Sequence, residues 1–276
     1  MKDALFTWLM TCYAVLASRR YWYAWNRLLF NLSLRGLGIL QYPPGQGISK
    51  AEEHCLRVLA AHWDETPIIL DVGAHEGEFA LSVKAVCPQA HLYAFEPHPQ
   101  AYAVLTSRTH GAGITTVQAA CGQQAGIVTL YDYADRPGSY PASLYPTVIR
   151  DLHRGHVAGV DVSCMALDDF VAEHALSKIH LLKIDTEGHE LQVLLGLSKT
   201  LARHAVDAIQ FEFNGMHVMS RTWMRDFYEL LEGYSFYRQV QDGLVPLGPY
   251  SPIFCELFAY QNIVALRSDG PSQVLS

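Results

Sequence analysis

The sequence is short of positive charge and has no paired cysteines. Twenty lysines and arginines stand against 27 aspartates and glutamates in 276 residues, which gives a formal net charge of −7. Nucleic-acid and anionic-membrane surfaces need clustered Lys and Arg, so the composition argues against both kinds of partner. The six cysteines lie far apart and form no C-x-x-C pair. This spacing excludes a zinc site and a disulfide framework, and it predicts reduced thiols in a cytoplasmic protein.

A long hydrophobic run is also missing. The apolar stretch over residues 4–17 is shorter than the ~20 residues that a membrane-spanning helix needs. It also lacks the features of a signal peptide, since Asp3 directly follows Lys2. We expect one or two helices over residues 4–35, and a helix lying in a membrane interface is the alternative that we favour less. The expected organisation is an N-terminal helical appendage, a main domain and a tail: residues 1–48, 49–268 and 269–276.

A complete dinucleotide fingerprint is absent as well, although the strand, turn and helix that would carry one are present. The apolar run at residues 68–72 predicts a buried parallel strand, and a helix is expected from Glu78. Instead of G-x-G-x-x-G, the turn has D-x-G-x-x-x-G, formed by Asp71, Gly73 and Gly77. An acid before the first glycine suits a ligand with a positive amino group better than a pyrophosphate. The alternative is an ordinary turn with packing glycines.

A second acid follows the next predicted strand, at residues 91–95. Glu96 comes 19 residues after Gly77, close to the ~20 expected for an acid that accepts hydrogen bonds from ribose hydroxyls. The two oxygens of a carboxylate can accept from two neighbouring hydroxyls. We therefore assign Glu96 to a ribose, and the alternative is a helix N-terminal acid before Pro97.

Polar side chains stand at the ends of two later apolar strands. Lys183 and Asp185 share one face of the first, and Glu212 and Asn214 share a face of the second. Ligands of open α/β sheets bind at such strand ends. One interpretation is a structural Lys183–Glu212 ion pair, and another is a catalytic cluster of Asp185, Lys183 and Glu212. A third is a Mg²⁺ site of Asp185, Glu212 and Asn214, because Mg²⁺ prefers oxygen ligands.

Other stretches predict the surrounding architecture. A break at residues 43–47 precedes a helix whose capping box is formed by Ser49 and Glu52. The loop over residues 134–159 is long enough to be a lid, and residues 220–231 have helical periodicity. Strands around an Asp-Gly turn are expected near the end of the chain: residues 234–240, 244–247 and 258–266.

Together these motifs resemble the FkbM-type family of S-adenosylmethionine-dependent methyltransferases. The resemblance covers residues 36–266, and the Lys-x-Asp-x-Glu-Gly string beginning at Lys183 is its most specific part. It is carried by the following segments: residues 71–77, 95–97, 167–170, 182–190 and 210–212. The resemblance implies a class I, Rossmann-like α/β fold. The expected sheet has seven strands, mostly parallel with one antiparallel strand, and helices on both faces.

The resemblance also implies which residues hold the cofactor S-adenosylmethionine. The turn after the first strand would hold its amino-acid end, Glu96 its ribose, and residues after the third strand its adenine. The expected cofactor-binding residues are Asp71, Gly73, Ala74, His75, Gly77, Glu96, Pro97, Gln118, Ala120, Cys121 and Asp185. His75 stands where the family usually has Asn.

The implied reaction transfers a methyl group to a hydroxyl, commonly on a sugar, a macrolide or another secondary metabolite. Such a hydroxyl must be aligned with the methyl group and lose its proton to a base. Histidine is the usual base near neutral pH, and the sequence does not choose among His75, His153, His156, His189 and His217. The expected partner is a small hydroxylated molecule, and a homo-oligomer is left open. A nucleotide-cofactor oxidoreductase and a non-catalytic interaction module are the rival functions.

Overall fold

A computed structural model of the protein describes residues 2–40, 48–63, 65–139 and 141–268. The chain divides into two compact units, residues 1–41 and 42–276. The break predicted at residues 43–47 and the predicted tail lie outside the described residues. Within the described ranges, no helix is both long enough and apolar enough to cross a bilayer.

The smaller unit is a pair of helices, as predicted for residues 4–35. Helix α1 spans Lys2–Ala17 and helix α2 spans Tyr23–Gly36, and a single turn of 3₁₀-helix joins them. The hydroxyl of Tyr13 donates to Asn26 Oδ1 at 2.6 Å, and Asn26 Nδ2 donates to the carbonyl oxygen of Ala17 at 2.9 Å. These two bonds join α1 to α2 across the connecting turn.

The larger unit contains two sheets with helices packed against them. The strands are β1 Ile68–Val72, β2 His91–Phe95, β3 Ile114–Val117, β4 Ala120–Cys121, β5 Gly126–Tyr133, β6 Val157–Met165, β7 Ile179–Ile184, β8 Val206–Phe213, β9 Tyr234–Val240, β10 Gly243–Pro246 and β11 Gln261–Arg267. The helices are α3 Lys50–Ala60, α4 Glu78–Val86, α5 Pro99–Arg108, α6 Leu167–Glu173, α7 Glu190–Leu195, α8 Ser198–Ala202, α9 Met216–Ser220, α10 Met224–Leu230 and α11 Pro252–Cys255.

The large sheet has the order β10-β9-β11-β8-β7-β1-β2-β3, and β4, β6 and β5 form a separate three-stranded sheet. The central pairs β8–β7, β7–β1, β1–β2 and β2–β3 are parallel. Two hydrophobic clusters cover opposite faces of the large sheet. Ile69 belongs to one cluster, whereas its neighbours Leu70 and Val72 belong to the other. The α/β, Rossmann-like fold class is thereby confirmed.

The predicted count of seven strands with one antiparallel strand is wrong. The large sheet has eight strands, because β10 pairs with β9 across a two-residue loop, Gln241-Asp242. Strand β11 runs antiparallel to β8 and β9, and β10 runs antiparallel to β9. The helix predicted over residues 220–231 is shorter than expected: it is α10, Met224–Leu230, because Arg221 adopts a φ of 56° and ends the preceding helix α9 at Ser220. The capping box of α3 is present as predicted, with Ser49 and Glu52 bonded reciprocally.

Candidate functional site

A cavity lies at the carboxyl ends of β1, β2 and β7. Strands β2 and β3 lie on one side of β1, and the later strands β7 and β8 lie on its other side. Ligands of open α/β sheets bind in the crevice where the strand order switches in this way. The walls are formed by Val72, Gly73, His75, Glu96, Pro97, His98, Ala119, Ala120, Cys121, Leu130, Ser139, Ala142, Leu144, Asp185, Thr186, Glu187 and His189.

The turn after β1 is shaped by Gly73. Its φ of 80° is left-handed, and a Cβ at this position would lie 1.8 Å from the carbonyl oxygen of Asp185. Glycine therefore allows the β1 turn to lie directly against the end of β7. The N–H groups of Gly73 and Ala74 both donate to the carbonyl oxygen of Phe95, at 2.9 Å. The ends of β1, β2 and β7 are thus fixed relative to one another.

Glu96 is held at the end of β2 by two backbone donors. The N–H of His75 donates to Oε2 at 2.9 Å, and the N–H of His98 donates to Oε1 at 2.7 Å. Burial raises the pKa of Glu96 to about 7, although these two donors oppose the shift. His75 makes its bond through the backbone, at a φ of 47° that Asn and His tolerate better than most residues. A histidine in place of the family's usual Asn therefore leaves this contact intact.

Asp71 and Lys183 face each other across the β1–β7 pair, and both side chains are buried. Lys183 Nζ lies 3.7 Å from Asp71 Oδ1 and 3.2 Å from Asp185 Oδ2. Burial lowers the pKa of Lys183, but the two carboxylates outweigh burial and hold that pKa above its usual range. Burial raises the pKa of Asp71 to about 6, and Lys183 opposes that shift. The ammonium thus joins Asp71 to Asp185 instead of forming the Lys183–Glu212 pair considered from the sequence.

Three carboxyl groups from two strand ends converge beside the cavity. Asp185 and Glu187 follow β7, Glu212 lies in β8, and one oxygen of each lies within 4.8 Å of the others. The pKa values of Glu187 and Glu212 lie well above their usual range, because burial and the charge of Asp185 both disfavour ionisation. Asn214 Nδ2 donates to Glu212 Oε2 at 2.7 Å, and Asn214 Oδ1 accepts the N–H of Met216 at 2.8 Å. Asn214 therefore holds Glu212 in place.

The turn that carries Glu187 is supported by a fully buried pair, Glu190 and His217. Glu187 has a φ of 54°, which is uncommon for a residue other than glycine. Glu190 Oε1 accepts the backbone N–H groups on either side of Glu187, at 2.8 and 3.3 Å. Glu190 Oε2 lies 3.0 Å from His217 Nε2, and His217 Nδ1 accepts the N–H of Asn214 at 3.3 Å. The pair thus links the end of β7 to the end of β8.

The loop after β5 forms one wall of the cavity, at the position of the predicted lid. Asp132 Oδ2 accepts two backbone N–H groups of this loop, at 2.6 and 3.0 Å, and lies 3.5 Å from His98 Nε2. Further along, Ser143 Oγ donates to the carbonyl oxygen of Glu187 at 2.8 Å. These bonds fix both ends of the wall-forming segment, which contributes Ser139, Ala142 and Leu144 to the cavity.

The candidate histidine bases fall into three environments. His75 and His189 line the cavity, and His189 Nδ1 lies 3.1 Å from the hydroxyl of Tyr145. Burial lowers the pKa of His189, which favours the neutral imidazole. His153 and His156 are exposed outside the cavity, and His217 is fully buried against Glu190. Of the five histidines, only His75 and His189 can therefore reach a ligand in the cavity.

Seven of the predicted cofactor-binding residues line the cavity: Gly73, His75, Glu96, Pro97, Ala120, Cys121 and Asp185. The other four do not: Asp71, Ala74, Gly77 and Gln118. Asp71 is fully buried beneath the wall and Gln118 is exposed, so a cofactor contact by either remains a prediction. Nine lining residues were not among the predicted site residues: Val72, His98, Ala119, Leu130, Thr186, Glu187, Ser139, Ala142 and Leu144. The length of the loop was the one signal that pointed to the last three.

Comparison with known proteins places this geometry in a family. Residues 71–236 match the family described as the methyltransferase FkbM domain. Methyltransferase sdnD of Sordaria araneosa is 31% identical over 172 residues, which cover 53% of this chain and 66% of that protein. The hexuronic acid methyltransferase AglP of Haloferax volcanii is 26% identical over 154 residues, 55% of this chain and 59% of that protein.

A third relative is the 31-O-demethyl-FK506 methyltransferase FkbM of Streptomyces tacrolimicus. It is 29% identical over 153 residues, which cover 47% of this chain and 59% of that protein. The matched regions thus span between 59% and 66% of the length of these relatives. The match over residues 71–236 includes every lining residue of the cavity and all three converging carboxyl groups. The chain belongs to the FkbM family of methyltransferases.

Proposed function

We propose that the protein transfers the methyl group of S-adenosylmethionine to a hydroxyl of a small molecule, such as a sugar, a macrolide or another secondary metabolite. The observation that carries this proposal is the position of the Asp185, Glu187 and Glu212 carboxyl groups beside the cavity. Two relatives support a small-molecule acceptor, since one is named for 31-O-demethyl-FK506 and another for a hexuronic acid. The family favours this activity over the rival oxidoreductase and the interaction module.

The chemistry of the cavity fits the cofactor. Glu96 already accepts one backbone N–H at each oxygen, and each oxygen has a further lone pair for a ribose hydroxyl. Apolar side chains on both sides of the cavity suit a purine ring: Ala119, Ala120, Leu130, Ala142 and Leu144. The sulfonium and amino groups of the cofactor are cationic, and Asp185 in the cavity wall complements them. S-adenosylmethionine would supply an electrophilic methyl group.

The residues of this chain would act on the acceptor hydroxyl. As its oxygen forms the new C–O bond, the C–S bond breaks and the hydroxyl proton leaves to a base. We assign Glu212 as that base, since it lies beside Asp185 and since, once ionised, a carboxyl group with a raised pKa takes up a proton more readily than an ordinary one. Asp185 and Glu187 would orient the acceptor, and Lys183 would position Asp185 through the 3.2 Å ion pair. The products are the methyl ether, S-adenosylhomocysteine and a proton on Glu212.

Replacing Glu212 by Gln tests this assignment. The amide keeps the shape of the side chain but cannot accept the proton, so we expect kcat to fall by roughly 10²–10⁴-fold. The assay would follow labelled methyl transfer from S-adenosylmethionine to a panel of hexuronic acids and macrolides. S-adenosylhomocysteine affinity should stay within about threefold, because Glu212 does not line the cofactor cavity. Glu229→Gln, at an exposed glutamate of α10, is the matched control. An unchanged kcat in Glu212→Gln would remove Glu212 from the mechanism.

The same carboxyl cluster contains two of the three predicted Mg²⁺ ligands, Asp185 and Glu212. Three carboxylate oxygens suit a hard cation, but Asn214 is bonded to Glu212 and Met216, and Lys183 already supplies a positive charge to Asp185. These contacts fit the predicted ligand set of Asp185, Glu212 and Asn214 poorly, so no step above uses a metal. Full methyl transfer in EDTA is the expected result. Loss of activity in EDTA that Mg²⁺ restores would contradict the metal-free mechanism.

A further inference from the structure

The first 41 residues differ sharply in charge from the rest of the chain. They contain five lysines and arginines and one acid, whereas the other 235 residues contain fifteen lysines and arginines and 26 acids. The formal charge is therefore +4 for residues 1–41 and −11 for residues 42–276. The overall value of −7 conceals a basic segment attached to an acidic domain.

This basic segment also contains most of the exposed large hydrophobic side chains in the described parts of the chain. Twenty-five large hydrophobic side chains are exposed in the described parts of the chain, and 17 of them belong to residues 5–37. Phe6, Trp8 and Leu16 are 64%, 61% and 69% exposed. A concentration of exposed hydrophobic side chains in one short segment is typical of a site of interaction.

The geometry of α1 limits what the segment can do at a bilayer. Its 16 residues extend about 24 Å, at 1.5 Å per residue, which is less than the ~30 Å of a hydrocarbon core. No charged residue occurs between Asp3 and Arg19, and two threonines, Thr7 and Thr11, interrupt the apolar run of α1. The bonds from Tyr13 and Asn26 join this helix to α2. An apolar helix pair of this length suits partial insertion at the boundary between headgroups and acyl chains.

The connection between the two helices has the composition of a membrane interface. Arg19 and Arg20 directly precede Tyr21, Trp22 and Tyr23, and all five residues are exposed. Tyr and Trp rings concentrate at the headgroup level of bilayers, where one edge is apolar and the other is hydrated. Arginines beside them attract anionic headgroups, at roughly 1 kcal/mol for each basic residue near the surface.

We propose that residues 1–40 form an interfacial anchor that docks on an anionic lipid bilayer. Aromatic and aliphatic side chains of α1 and α2 enter the headgroup–acyl boundary, and Arg19, Arg20, Arg27 and Arg35 contact acidic headgroups. The charge of +4 selects an anionic bilayer over a neutral one. The expectation of no membrane partner, drawn from the total charge, is replaced by this proposal. It does not depend on the proposed methyl transfer.

Vesicle co-sedimentation of the full chain tests the anchor. We expect binding to vesicles that contain about one third phosphatidylglycerol, and at least tenfold weaker binding to pure phosphatidylcholine. Arg19→Ala with Arg20→Ala should weaken binding by roughly thirtyfold, since two arginines contribute about 2 kcal/mol. Arg57→Ala with Arg225→Ala removes two exposed arginines from the acidic unit and should bind like the parent. Equal binding by both double variants would overturn the role of the basic segment.

A second pair of variants tests the apolar contact. Trp22→Ser with Trp25→Ser should reduce vesicle binding more than tenfold, whereas Ile253→Ser with Phe254→Ser, at exposed residues of α11, should not. Acyl chains brominated near the headgroup should quench the tryptophan fluorescence of the parent. No sedimentation of the parent with anionic vesicles would overturn the proposal. Light scattering would show whether the parent forms a dimer that the double variant Trp22→Ser with Trp25→Ser does not form. Such a dimer, together with no vesicle binding, would assign the surface to a second copy of the chain.

Discussion

At the scale of single residues, Glu96 is the clearest link between burial and cofactor binding. Its carboxyl group is almost fully buried and takes up a proton near pH 7 in the cofactor-free protein, because burial raises its pKa. The ionised form is the one that accepts two ribose hydroxyls. Cofactor binding therefore favours proton release, and low pH opposes binding.

This linkage predicts a pH-dependent affinity for S-adenosylhomocysteine. Above about pH 7 the affinity should be constant, and below that value it should weaken by up to tenfold per pH unit until the bound form also protonates. Glu96→Gln should bind more weakly at every pH and lose this dependence. Calorimetric titration between pH 5.5 and 8.5 measures both effects. A Glu96→Gln variant with the pH profile of the parent would show that another group titrates.

We expect His217 to affect catalysis indirectly, through its buried contacts with Glu190 and with the N–H of Asn214. His217→Ala removes a buried partner of Glu190 and of the Asn214 N–H, so we expect a stability loss of ~1–3 kcal/mol. It should also lower kcat, because the pair positions the turns that carry Glu187 and Glu212. Urea unfolding and methyl-transfer kinetics separate these two effects.

His180→Ala is the matched control for that variant. His180 is another buried histidine. It lies near the start of β7, far along the strand from Asp185, and it accepts the N–H of Ile68 at 3.0 Å. Its loss should lower stability by a similar amount and leave kcat unchanged. If the two variants behaved alike in kcat, His217 would have a structural role only.

At the scale of elements, the contact between the β1 turn and the end of β7 fixes the cavity. Gly73→Ala would place a Cβ 1.8 Å from a backbone oxygen and would also strain a left-handed φ. We expect a loss of more than about 2 kcal/mol of stability and of measurable S-adenosylhomocysteine binding. Gly126→Ala, where a Cβ would meet nothing within 4 Å, should change stability by no more than ~0.5 kcal/mol. Normal cofactor binding by Gly73→Ala would contradict this description of the turn.

Elements with strong local signals were predictable from the sequence. The apolar runs of β1, β2 and β7, the acid at the end of β2 and the capping box of α3 all appear where periodicity and motif placed them. These features depend on residues close together in the chain. A buried strand or a cap needs no knowledge of distant partners.

Features that depend on distant partners were not predictable in the same way. A strand was predicted where β10 lies, but its pairing with the free edge of β9 was not. The later start of α10 follows from the backbone conformation of Arg221, which ends α9. Lys183 forms ion pairs with Asp71 and Asp185 and not with Glu212, because the register of β1 against β7 places Asp71 opposite Lys183. Alternation along a strand predicts which face a side chain occupies, but it does not fix which neighbour it meets.

At the scale of the whole molecule, the net charge does not show how charge is distributed along the chain. The net charge of −7 correctly describes an acidic domain, but it hides a basic helical unit of 41 residues. The proposed activity concerns the larger unit and the proposed anchor the smaller one. The two proposals can therefore fail independently, and each has its own measurement.

The central claim is that the cavity in the larger unit binds S-adenosylmethionine. Calorimetric titration of the full chain with S-adenosylhomocysteine, with NAD⁺ as the comparison ligand, tests it most directly. We predict micromolar binding of S-adenosylhomocysteine and no detectable binding of NAD⁺, because the turn carries an acid and lacks the third glycine of a dinucleotide site. Binding of NAD⁺ alone, or of neither ligand, would contradict the proposed function.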